Sequence, residues 1–397
     1  MIPYYLLFCF FGVLAFLEYF QSNKRLDAIF LILSFIVLLF FYGFRFDVGI
    51  DWSVYYSFYD QVESIARVLQ GEVRAPVFFS LEFAPLDFGY RFLNSVFKSL
   101  GVSFQGLIFF ISLFNIFSLY NFILSNRLKY KFSFLLVFIS LAMFREFDIL
   151  RQSLSFYIFL YSVKYIDGRF WKYFAINMVG AFFHIGALML LLIVPILKMR
   201  FSRGQMWIIL FLYILTMVFP LPLISLSLAF AEMLSLPSWL LVKVVAMHEY
   251  LNYPREFGLT ISIPCILLLS MIVLKYRVYE NLCRRDAVLI NLFFCYLLIS
   301  ILGSEINEFV TRFGYYFFVG IALAFSFIPI FVERLSRLLL SVIPVVFAVA
   351  KLFLMMETPA TSATYTPYTN YLFEDEKDRF LKIDEKKSII TDYYLEK

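Results

Sequence analysis

Apolar runs of near-spanning length recur from one end of the chain to the other, parted by short polar turns. They cover residues 3–20, 26–44, 105–124, 132–144, 149–166, 173–195, 206–219, 259–276, 287–303, 313–332 and 338–356. A helix needs about 20 apolar residues to cross a bilayer, so the pattern predicts an all-α, polytopic transmembrane bundle of about 11–12 spans. The remainder, 357–397, is a polar tail. No cleavage site follows the first run, which reads as a span and not as a removed signal peptide.

Composition agrees. Hydrophobic residues make up 62% of 397 positions and charged residues 16%, against about 45–50% and about 25% in soluble domains. The net charge of +5 is spread over short loops, so no basic domain points to nucleic acid. Cys9, Cys265, Cys283 and Cys295 form no CxxC motif and suggest no disulfide framework.

The basic residues set an orientation. Lys24 and Arg25, then Arg127, Lys129 and Lys131, place their turns on the cytoplasmic side. Segments 45–104, 145–148, 237–258, 304–312 and the tail then fall on the outer side. One conflict remains: Lys164, Arg169 and Lys172 look cytoplasmic, and so do Lys198, Arg200 and Arg203. A single helix between them cannot have both ends inside. Either 173–195 is re-entrant and turns near His184, or 223–236 forms an extra span after Pro220 and Pro222. In the large first outer loop, Trp52, Tyr55, Tyr59, Val62 and Ala66 recur at helical spacing, which predicts an interfacial amphipathic helix.

Ionisable residues at span ends are costly in a bilayer, and they concentrate here in four outer clusters. Arg45, Asp47, Gly49, Asp51 and Tyr55 lie where the second span emerges; they fit a pyrophosphate or sugar site, or an ion pair capping a helix end. Arg145, Asp148, Arg151 and Gln152 precede Ser153 and Ser155; they fit a cation facing a polar cavity, or local pairs at i,i+3 and i,i+4. His184 interrupts an apolar run, either as a bonded core residue or as a general base presented by a turn. Arg312 with Tyr315 and Tyr316 follows Glu305 and Glu308, either lining a cavity or snorkelling to headgroups. His248-Glu249 lacks the second histidine of a zinc helix, and neither metal nor cofactor is expected.

Taken in order, these clusters resemble the EpsG-type polysaccharide polymerases of the broader O-antigen polymerase (Wzy) group. The matching residues are Arg45, Gly49, Asp51 and Tyr55; Gly89-Tyr90 with Asn94 and Gly101; Arg151-Gln152 with Ser155; His184 with Ala187; and Arg312 with Tyr315 and Tyr316. Asp87 stands where the family often has Glu, and Ser155 where it usually has Ala. The resemblance implies an inner-membrane glycosyltransferase with its site on the periplasmic face. It would move a nascent glycan from undecaprenyl pyrophosphate to the non-reducing end of a lipid-linked repeat unit, with a chain-length regulator protein as a partner. Arg45, Arg151 and Arg312 would clamp the diphosphate, and His184, with Asp51 as the second choice, would serve as base. Gln152, Asp47, Tyr55, Asp87, Tyr90 and Tyr315 would line the substrate.

Two other readings remain open. A polyprenyl-phosphate-sugar glycosyltransferase would also use a carboxylate of the first outer loop, Asp47 or Asp51. A lipid-linked oligosaccharide flippase or transporter would show inverted repeats, and the sequence has no such symmetry.

Overall fold

The computed structural model describes residues 1–20, 23–63, 65, 88–222, 225–226, 259–274, 276–327, 334–357 and 359–373. Asp87, Ala66, His248-Glu249 and most of 223–236 lie outside the described residues, as does the tail beyond 373. Among the described residues all regular structure is helical.

The first helices are α1 (Ile2–Leu17) and α2 (Lys24–Gly43) on the first two apolar runs, α3 (Trp52–Gln61) and α4 (Phe88–Ser99) in the segment between the second and third runs, and α5 (Phe104–Ser125), α6 (Lys131–Asp148), α7 (Leu150–Ser162) and α8 (Phe170–Phe183) on the runs that follow. Two short helices, α9 (Met189–Leu192) and α10 (Val194–Lys198), lead to α11 (Arg203–Val218). Then come α12 (Leu259–Leu274), α13 (Tyr276–Asn281), α14 (Arg284–Leu302), α15 (Asn307–Gly314) and α16 (Val319–Phe327). The chain closes with α17 (Arg334–Glu357) and α18 (Pro359–Tyr365). Helices α2, α5 and α14 are long and apolar enough to cross a bilayer, and α1 and α11 are shorter apolar helices.

Local chemistry sets the helix starts. The side chains of Asn23 and Ser103 accept from the first-turn amides of Arg25 and Gly106, at 2.9 and 3.2 Å, and Ser202 with Gln205 forms a capping box on α11. The start of α6 is capped from another helix. Glu18 accepts the amides of Phe132 and Ser133 at 2.8 and 2.7 Å, and the Ser133 hydroxyl at 2.5 Å. This places a carboxyl group on α6's free N–H groups and ties α1 to α6.

The chain divides into two compact units, Met1–Leu191 with Arg334–Lys397, and Leu192–Glu333. In the first, α6 is the central post: α1 and α17 pack on it, α2 packs on α5, and α7 packs on both α5 and α8. Apolar residues of α2 such as Ile29, Ile32 and Ile36 are exposed, as a lipid-facing stripe requires. The predicted loop helix forms as α3. Its Trp52, Tyr55, Phe58 and Tyr59 are buried with Tyr90, Phe104, Leu107, Leu150 and Leu154, so its aromatic face joins the protein core.

The segment 173–195 is not one helix. α8 ends at Phe183, His184 is extended (φ −156°, ψ 116°), and a 3-10 turn, Ile185–Leu188, follows. The Tyr173 hydroxyl donates to the carbonyl of Leu190 at 2.6 Å. A straight helix would separate these residues by about 25 Å. The chain therefore doubles back at His184, while most of 223–236, the alternative extra span, lies outside the described residues.

In the second unit α14 is the hub, packed by α10, α11 and α16. Buried Asn291 donates to the carbonyls of Leu197 and Met199 at 2.9 and 2.7 Å and accepts from Tyr279 at 3.0 Å. Gly320 of α16 lies so close to α14 that a Cβ there would be 2.2 Å from the Phe293 nitrogen.

Candidate active site

The site grows from the bend after α2. Arg45 leaves the helix 2% exposed, with its guanidinium 4.7 Å from the Phe147 ring and 5.9 Å from that of Trp52. Its Nη1 donates to the carbonyl of Tyr42 at 2.9 Å, while Nε and Nη2 are buried without a hydrogen-bond partner among the described residues. Burial pulls Arg45 down to about 10 against the field of Tyr368 and its acidic neighbours; it remains a cation at neutral pH.

Two left-handed residues then turn the chain sharply, Asp47 (φ +48°) and Gly49 (φ +114°). Asp47 is buried. The turn delivers the amides of Ile50 and Asp51 to Asp148, which accepts them through Oδ1 at 2.6 and 3.4 Å. The other oxygen, Oδ2, accepts from the hydroxyl of Tyr365. Asp148 ends α6 and Leu150 begins α7. The helix is thus broken where the sequence pattern allows i,i+3 and i,i+4 partners, and this carboxylate reaches 98 residues back along the chain. Burial foremost, then the neighbouring Asp51 carboxylate, raises Asp148 to about 7, against the lowering effect of its three donors.

Asp51 begins α3, half-buried. One turn on, Tyr55 lies beside the Arg151 guanidinium and is pushed up to about 12, chiefly by burial. Its ring meets that of fully buried Tyr90 edge-on at 5.5 Å. Tyr90 also feels the charges of Arg151 and Arg45. Gln152, at the start of α7, is buried.

The re-entrant turn closes in from α8. A Cβ on Gly89 would lie 2.8 Å from the carbonyl carbon and oxygen of Phe182, so a glycine before Tyr90 lets that backbone approach. Phe183 packs against the cluster holding Tyr55 and Tyr90. Half-buried His184 follows, its N–H donating to Gly180 and its carbonyl accepting from Ala187, both at 3.0 Å.

The first unit therefore brings together Arg45, Asp47, Asp51, Tyr55, Tyr90, Arg151 and Gln152, with His184 on the abutting turn. Arg312, exposed on α15, and buried Tyr315 belong to the second unit. Two contributors escape the sequence pattern, Asp148 as a tertiary acceptor and the C-terminal segment. Tyr368 donates to the Phe41 carbonyl at 2.7 Å and stacks on that ring at 4.2 Å. Asn370 pairs antiparallel with Arg45.

A helical, polytopic membrane protein with buried Arg45, a half-buried Arg151, carboxylates and tyrosines at one bundle end defines the class. The EpsG family matches residues 28–370, and the chain belongs to that family. No curated protein and no solved structure matches it. Membership makes it a polysaccharide polymerase, a membrane-embedded enzyme of the glycosyltransferase type.

Proposed function

We propose that this polymerase works in the bacterial inner membrane with its site facing the periplasm. Its donor is a glycan on undecaprenyl pyrophosphate, and its acceptor is the non-reducing end of a lipid-linked repeat unit. The acceptor hydroxyl oxygen attacks the anomeric carbon of the donor. The bond from that carbon to the pyrophosphate oxygen breaks, the lipid diphosphate leaves with the electron pair, and the hydroxyl proton passes to a base.

One observation carries the donor assignment. Arg45 is a buried cation with two guanidinium nitrogens that lack a hydrogen-bond partner among the described residues. Buried donors are almost always satisfied, and a phosphate oxygen is the bidentate acceptor that a guanidinium fits. Arg151, beside Tyr55, adds a second cation within the same unit. Such cations stabilise negative charge on the departing diphosphate. Gln152, Asp47, Tyr55, Asp87 and Tyr90 of that unit would line the substrate.

Asp51 is favoured as base over His184. It stands next to Asp148, in the turn that carries Arg45, and the charges of both Asp51 and Arg151 reach Tyr55. His184 would then shape the acceptor side of the site from the re-entrant turn. A chain-length regulator protein is the expected partner.

Deleting the gene in its own strain tests the reading. Loss of the polysaccharide ladder with a single repeat unit retained supports it. A ladder of normal length, or loss of even the single unit, points to another step. In isolated membranes, polymer made from a monophosphate-linked single sugar but not from a pyrophosphate-linked oligosaccharide would overturn the donor.

A further inference from the structure

The C-terminal segment is built into the wall of the Arg45 site. Helix α17 packs on α1 and α6 and hands the chain to α18, after which residues 364–371 run alongside 44–49. The amide of Phe46 donates to the carbonyl of Thr369 at 3.1 Å, and the amide of Tyr371 to that of Phe44 at 2.7 Å. The Thr369 hydroxyl bonds the carbonyl of Phe46, and the Tyr4 hydroxyl holds the carbonyl of Tyr365 at 2.7 Å. Thr364, Tyr365, Thr369 and Asn370 are all buried. This is the pairing of a core element.

We propose that Tyr365 is a positioning residue for glycosyl transfer, which acts by donating its hydroxyl to Asp148 and so fixes the turn that carries Asp51 and Arg45. The inference rests on the function proposed above. Asp148 has one oxygen on the Ile50 and Asp51 amides and the other on Tyr365. Without Tyr365 the carboxylate could rotate, and the Asp51 end of the turn would lose its fixed point. Three donors suit the ionised, acceptor-only carboxylate, so the arrangement is intact only while Asp148 is charged. The groups facing it are Asp51 and Tyr55 from α3, Arg45 from the turn, Tyr365 from α18 and Tyr4 from α1. Asp51 opposes its ionisation, whereas the Tyr365 hydroxyl favours it. Removing that hydroxyl therefore moves ionisation to higher pH.

The test uses the full chain in proteoliposomes with a lipid-pyrophosphate-linked repeat unit as substrate. Tyr365→Phe should lower kcat at least tenfold with KM within about twofold, and the acidic limb of the kcat–pH profile should move up by about one unit. Wild-type kcat, or a lowered kcat with an unmoved limb, overturns the proposal, since loss of packing alone would not shift the limb. A second variant tests the segment's place. With the four cysteines replaced by serine, Phe46→Cys and Thr369→Cys should cross-link on oxidation with no loss of activity relative to the same protein reduced. Activity lost on oxidation and regained on reduction would make the segment a lid that must lift, which also overturns the proposal. If the wild type makes no polymer from this substrate, the proposed reaction falls. Failure of the cross-link removes the segment from the site whatever the reaction.

Discussion

Gly49 lies directly against Asp148: a Cβ at that glycine would sit 2.5 Å from Oδ1. The same oxygen accepts the next two amides, so the contact that excludes a side chain is also the one that aims the turn. Gly49→Ala would add a methyl there and force an L-residue to φ +114°. That strain costs on the order of 1–3 kcal/mol. The variant should insert into the membrane, melt at lower temperature and give no polysaccharide ladder. A full ladder would show that the turn tolerates displacement.

Arg45 and Arg151 should separate when replaced by lysine. The unpartnered nitrogens of Arg45 offer two donors in a fixed fork, which an ammonium cannot reproduce. Arg45→Lys is expected to cost about 10²–10³ in polymerisation rate. Arg45→Ala should fall further and also destabilise the protein, because the stack on Phe147 and the bond to Tyr42 are lost together. Arg151 is only half-buried, so Arg151→Lys should retain more activity than Arg45→Lys, while Arg151→Ala abolishes the ladder. Timed incorporation of labelled lipid-linked repeat unit in membranes measures all four.

Much of this layout was legible in the sequence. The runs at 26–44 and 105–124 became α2 and α5 within a residue or two, because a bilayer demands continuous apolar length. The break at His184 was foreshadowed by two basic groups that one straight helix could not both place inside. Asp148 and the tail were harder to see. The spacing of Asp148 to Arg151 offered a sufficient local partner, whereas its observed partners include two backbone amides 97 and 98 residues away and the Tyr365 hydroxyl, and an amide leaves no trace in residue identity. Residues 359–373 read as polar tail for a similar reason: tyrosine and threonine look solvated until their hydroxyls meet carbonyls across the chain, as Tyr368 meets Phe41.

Asp148 also makes stability depend on pH. Its native value of about 7 stands above the unfolded 3.8, so the native state binds the proton more tightly than the unfolded chain does. Its contribution is fully present below about pH 4 and declines as pH rises through about 7, after which it is level. In detergent, Asp148→Asn should remove that slope from the melting temperature while leaving slopes due to other groups. Identical slopes in the two proteins would mean that Asp148 ionises normally.

The choice of base is open to a paired comparison. Asp51 stands half-open at the head of α3, so its conversion to an amide, Asp51→Asn, keeps shape and helix start while removing proton affinity. If Asp51 takes the acceptor proton, kcat should fall by about 10²–10⁴ with little change in KM. His184 sits at a backbone break whose amide and carbonyl bonds do not involve the ring, so His184→Gln preserves the turn. That variant should raise KM for the acceptor more than it lowers kcat. The reverse pattern, in which His184→Gln abolishes turnover and Asp51→Asn is mild, would transfer the proton-accepting role to the histidine. It would also move the acceptor hydroxyl towards the re-entrant turn, on the side where Gly89 meets the backbone of Phe182.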